Sequence, residues 1–139
     1  MSAPRDRSAD RIPESEKVTI NLGYVDLGRV DLLVHEGFYA NRSDLIRTAI
    51  RNLLDGHAGV VAQSLSRKTL ELGLRDYDKA YLEQVRAAGE FLDIKVVGLA
   101  RISGDVSAEL ARATIRTITV LGALQASTEV KDALAGRIL

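Results

Sequence analysis

Between Lys17 and Leu22 apolar and polar residues alternate strictly, Val18, Ile20 and Leu22 against Lys17, Thr19 and Asn21. Period two sends the two sets to opposite faces of a strand, one greasy and one made of hydrogen-bonding groups. From Asp26 the period changes. Leu27, Val30, Leu33 and Val34 recur at helical spacing, which predicts a short amphipathic helix with Asp26 as N-cap and Gly37 as a left-handed stop. The pattern restarts in NRSDLIRTAIRNLL. There Asn41 caps, Asp44 makes a capping-box variant, and Leu45, Ile46, Ala49, Ile50, Leu53 and Leu54 form the stripe of a second helix ending near Gly56. Strand, helix, tight turn and helix hold too little apolar surface for a stable monomeric domain. A lone strand also leaves a row of backbone donors and acceptors unmet. A second copy of the chain supplies the missing strand and the missing core together.

Residues 57–68, HAGVVAQSLSRK, join this part to the next and are expected to be helical from Val60 through Arg67. Strand-like and helix-like stretches then alternate. TLELGLRDY precedes KAYLEQVRAAG, DIKVVGLARI precedes SAELARATI, and TITVLGALQA precedes TEVKDALAGRIL, with Asp78, Ser107 and Ser127 as helix caps. Laying Val97–Ala111 over Leu121–Ala135 aligns Gly98 with Gly122, Ser103 with Ser127, Val106 with Val130 and Leu110 with Leu134; a weaker overlay puts Gly73 under Gly98. One strand and one helix in a period of roughly 20 to 29 residues is the mark of a leucine-rich-repeat-like solenoid. Chance reuse of small and apolar residues in a compact α/β domain is the other reading. Gly98 and Gly122 then mark a close approach of neighbouring strands, or bulges. No polar sequence shields the last unit, so its end is expected to be open to self-association. The fold class is mixed α/β: a flexible arm over 1–16, a first domain over 17–56, a helical linker over 57–68, and a strand-helix repeat domain over 69–139 for assembly or partner binding.

Composition narrows the function. With 139 residues, 46% of them hydrophobic, the chain can bury one ordinary core or two small ones. Having no cysteine, it has no disulfide and no thiolate metal site. The polar opening MSAPRDRSADRIPESE lacks the apolar core of a signal peptide, and no run is long enough to span a membrane, so a cytoplasmic location is expected. The 19 basic side chains balance the 19 acidic ones, and residues 1–56 carry eight basic against nine acidic. That is not the basic balance of a strong nucleic-acid binder. His35 and His57 are the only histidines, and no nucleophile, base and orienting group converge. No enzymatic activity and no cofactor are expected.

The stretch GFYANRSDLIR, Gly37 to Arg47, with the alternating segment before it, resembles the ribbon-helix-helix family of bacterial DNA-binding regulators over residues 16–56. The resemblance implies that two chains pair their strands antiparallel, swapped into a two-stranded ribbon whose polar face lies in the major groove of double-stranded DNA. It makes Lys17, Thr19 and Asn21 the base readers, a role their donors and acceptors suit. It also places Asn41, Arg42 and Ser43, at the start of the second helix, against a phosphate. Without the resemblance the first three are the wet side of a half-buried strand, and Asn41 and Ser43 are helix-capping residues of any fold. Phe38 and Tyr39 belong to core and dimer packing. The expected function is a sequence-specific transcriptional regulator, a repressor, that dimerises through the ribbon and associates further, to a tetramer, through its C-terminal domain, which is also where a second protein would bind. A nickel-sensing relative is not expected, because no histidine or cysteine follows His57. An antitoxin, or an oligomeric scaffold that keeps the ribbon only for dimerisation, are the alternatives.

Overall fold

The computed structural model describes residues 14–139. The basic and proline residues of the arm, Pro4, Arg5, Arg7, Arg11 and Pro13, lie outside the described residues. The chain divides into two compact units, one through His57 and one from Ala58 to Leu139.

In the first unit, residues 16–23 belong to no helix, strand or ladder. Helix α1 spans Tyr24–His35 and α2 spans Arg42–Gly56. The sequence places the start of α1 too late: its N-cap is Gly23, and Asp26 sits in the first turn, 3.8 Å from Arg29. There its carboxylate faces the positive end of the helix rather than capping it. The stop is as expected. Gly37 takes φ +87, its amide donates to Val34 at 3.0 Å, and the amide of Phe38 donates to Leu33 at 3.1 Å. Only glycine reaches that backbone cheaply, so the helix ends here and the chain turns.

The second unit opens with α3, Ala58–Lys68, and continues as β1 Glu71–Tyr77, α4 Lys79–Ala87, β2 Leu92–Ile102, α5 Ala108–Thr114, β3 Ile115–Gln125 and α6 Thr128–Ala133. The strands make a parallel sheet in the order β1-β2-β3. Each of α4, α5 and α6 starts at a side-chain cap: Asp78 accepts from the Tyr81 amide at 2.7 Å, Ser107 from Leu110 at 3.1 Å, and Ser127 from Val130 at 3.2 Å. The core forms where these helices cover the sheet. Leu82, Leu110, Ala111, Val130 and Leu134 meet Ile94, Val96, Ala100, Ile102 and Ile118, all buried. Alternation sends Leu72, Leu74, Val97, Leu99 and Leu121 to the opposite face, where Leu72, Leu74 and Leu121 stay exposed.

The glycines found by overlaying the repeats stand side by side. Gly73 pairs with Gly98, and Gly98 with Gly122. All three have φ between +119 and +136, and a methyl group on Gly98 or Gly122 would run into the carbonyl of the glycine on the preceding strand. Close approach is therefore the reason for Gly98 and Gly122, whereas at Gly73 only the positive φ calls for glycine. Two boundaries differ from the sequence expectation. Strand β3 begins at Ile115 directly after α5, with a register shift beside Leu92 and Asp93. The last helix stops at Ala133, a single 3-10 turn covers Ala135–Arg137, and Ile138 bridges to Ile118 while the Leu139 amide donates to the Ile118 carbonyl at 2.8 Å. The outer edge of β3 is thus partly covered rather than open.

Candidate nucleic-acid interface

The alternating segment is exposed along its length. Lys17, Thr19 and Asn21 are exposed, and so are Val18 and Ile20, by 79% and 60%. Neither α1 nor α2 buries a single side chain. Leu32, Leu33, Phe38, Ile50, Leu53 and Leu54 all remain exposed. Among its described residues the first unit therefore has no buried side chain, and the apolar stripes of its helices lie open or only half-buried.

The start of α2 is built by local sequence. Asn41 Oδ1 accepts from the Asp44 amide at 2.8 Å, and Asp44 Oδ2 accepts from the Ala40 amide at 2.9 Å, a reciprocal cap. The amides of Arg42 and Ser43 fall in the first turn, where a helix has no acceptor of its own to offer them. The Arg42 side chain reaches back to the first helix. Its Nε donates to Asp31 Oδ1 at 2.7 Å and its Nη2 to Asp31 Oδ2 at 2.8 Å, tying α2 to α1. That fork holds the Asp31 carboxyl below the usual carboxylate range, chiefly through the hydrogen bonds from Arg42. Sequence reasoning did not single out Asp31. The only signal was an acid and a base of opposite charge on either side of the predicted turn.

In the second unit, a cleft of about 390 Å³ runs between Glu71, Arg75, Asp76, Tyr77, Tyr81, Leu92 and Asp93. Its charged groups are engaged with one another or with neighbours. Arg75 meets Glu71 at 2.6 Å and Asp76 meets Arg101 at 3.5 Å. Asp93 accepts from Arg116 Nε at 3.0 Å and from the Thr117 hydroxyl at 2.6 Å, which lowers its pKa to about 2. Arg116 is the residue passed over in the register shift, and the local break in pairing lets its guanidinium reach Asp93. Among the described residues no group of three or more His, Cys, Asp or Glu converges as for a metal ion, and no helix is long and apolar enough to cross a membrane.

The first unit thus presents a segment of alternating apolar and polar residues followed by two helices that bury no side chain. The chain belongs to the Ribbon-Helix-Helix transcriptional regulator family, whose match covers residues 13–131. The match runs well past residues 16–56, where the sequence motif ends, and takes in most of the strand-helix unit as well. No curated protein and no solved structure matches the chain.

Proposed function

We propose that the protein is a sequence-specific DNA-binding repressor, in which two chains pair residues 17–22 as an antiparallel ribbon and lay its polar face in the major groove. The observation that carries this reading is the first unit itself: an alternating segment joined to no ladder, and helices with no buried side chain, in a chain of this family. A ribbon between two copies would give Val18, Ile20 and Leu22 a shared core and would turn Lys17, Thr19 and Asn21 to base edges. Lys17 donates to guanine, Asn21 pairs both ways with adenine, and Thr19 offers a hydroxyl or a methyl. At α2 the phosphate ligands are the amides of Arg42 and Ser43, with Asn41 holding the turn open. The Arg42 guanidinium braces that turn through Asp31. The second unit, a short solenoid-like stack of strand and helix, associates ribbon dimers into a larger assembly. With 19 positive and 19 negative side chains the protein binds DNA weakly where the sequence is wrong.

Gel shifts against genomic fragments at low and moderate salt test the reading. A small set of fragments is expected to be retained at moderate salt. Asn21→Ala should cost about 1–3 kcal/mol on those fragments and relax preference at one base position per half-site. An unchanged preference removes Asn21 from the readers. No retained fragment at either salt favours the scaffold reading, in which the ribbon serves dimerisation only.

A further inference from the structure

The two edges of the sheet are treated differently. Along β3, Ile138 and Leu139 sit on Ile118. Along β1, Glu71 through Asp76 are exposed, with Leu72 at 65% and Leu74 at 42%. A strand edge left in this state is a template for another chain unless something discourages pairing.

The sequence of β1, ELGLRDY, reads against itself. Reversed about Gly73, Glu71 falls opposite Arg75, Leu72 opposite Leu74, and Gly73 opposite Gly73. A two-fold contact needs this kind of match, because each residue of one copy must suit its counterpart on the other in both directions. We propose that β1 is a homotypic edge: two copies of the chain pair β1 antiparallel about Gly73 and join their three-stranded sheets into one. In a single copy Glu71 and Arg75 already meet at 2.6 Å, across the position where Gly73 has no side chain. In the pair they exchange partners, Glu71 with the partner's Arg75 and Arg75 with the partner's Glu71, so no charge loses its counter-charge. The Gly73 carbonyl is turned to β2, where a methyl on Gly98 would meet it. Strand alternation then turns the amides and carbonyls of Leu72 and Leu74 outward, to bond those of the partner.

Charges on an edge strand ordinarily keep other strands away. Here they select the partner and its direction. A parallel copy of β1 would put Glu71 against Glu71 and Arg75 against Arg75, whereas the antiparallel copy sets opposite charges together. Leu72 and Leu74 then meet the partner's Leu74 and Leu72 on the face away from the helices, next to Val97, Leu99 and Leu121. The pairing deepens the assembly reading above by naming its surface.

The test uses full-length chains, which have no native cysteine. Leu72→Cys chains co-expressed with Leu74→Cys chains are expected to crosslink to each other, and neither kind to itself. Glu71→Arg on both should abolish the crosslink, and adding Arg75→Glu should restore it. Circular dichroism checks that each variant is folded. A crosslink that is indifferent to the charges, or equal between chains of one kind, overturns the register. Absence of a crosslink overturns the proposal. Sedimentation of the intact protein then separates the two readings: particles larger than a dimer keep C-terminal assembly and place it on another surface, while a plain dimer removes it too.

Discussion

Thr69 carries a backbone it is ill suited to. Helix α3 ends with the Leu70 amide donating to Leu65 at 2.9 Å and the Thr69 amide to Ser66 at 3.3 Å, and this puts Thr69 at φ +55. A β-branched side chain in the left-handed region is strained. Thr69→Gly is therefore expected to stabilise the protein by about 1 kcal/mol in urea unfolding, since the turn keeps its bonds and loses its strain. The stacked glycines separate two effects. At Gly73 a methyl would meet nothing within 4 Å, so Gly73→Ala costs only the strain of φ +130, about 1–3 kcal/mol. At Gly98 the same methyl overlaps the Gly73 carbonyl, so Gly98→Ala should cost more than about 4 kcal/mol or prevent folding. Equal losses at the two positions would mean that φ alone dictates glycine. Asp93 sets the acid limit of its contact with Arg116. Its carboxyl is held at about 2, below the ordinary value, so the stabilisation is complete above the unfolded pKa and is lost as pH falls through about 2. Carboxyl NMR should place its titration there, and Arg116→Gln should move it upward. Among these residues the caps were legible in the sequence, because a cap and the amide it serves are three positions apart. The Arg42 to Asp31 and Arg116 to Asp93 forks were not, because nothing local says which distant partner a charge will find.

At the scale of elements, pattern and end carry different information. The alternation in residues 17–22 sorts the two faces without any neighbour, yet that segment forms no ladder within one chain. Ile20→Asp tests the sorting. It places a charge in the apolar face that two copies would share, so loss of helical circular dichroism in the first unit is the expected outcome. A normal fold would mean that the faces are reversed. Asn41→Ala removes one side of the reciprocal cap and should destabilise by about 0.5–2 kcal/mol, with DNA binding weakened alike across sequences. The order of strands and helices in the second unit was legible from the change of period between them, and Gly73, Gly98 and Gly122 fall at one register position. The joint between α5 and β3 was not. Ile115 is buried whether it ends the helix or begins the strand, so its hydrophobicity does not choose. The Thr114 hydroxyl closes the helix on the Leu110 carbonyl at 2.8 Å, a use of threonine that composition does not reveal.

At the scale of the whole molecule, the two units are stabilised in different ways. The strand-helix unit has an interior of its own, from Leu82 to Leu134. The first unit has none among its described residues. Denaturation of the intact protein should accordingly show a transition that moves with protein concentration, from the first unit, and one that does not. A single concentration-independent transition would contradict a shared core. The missing interior has a bearing on gene dosage. On the proposed pairing, in which a second copy completes the first unit, the folded form is made in proportion to the square of the free chain, so cells holding half the chain would hold less than half the working regulator, and the remainder would be open to proteases. The response of its target genes to a change in its own expression would be steeper than the change itself.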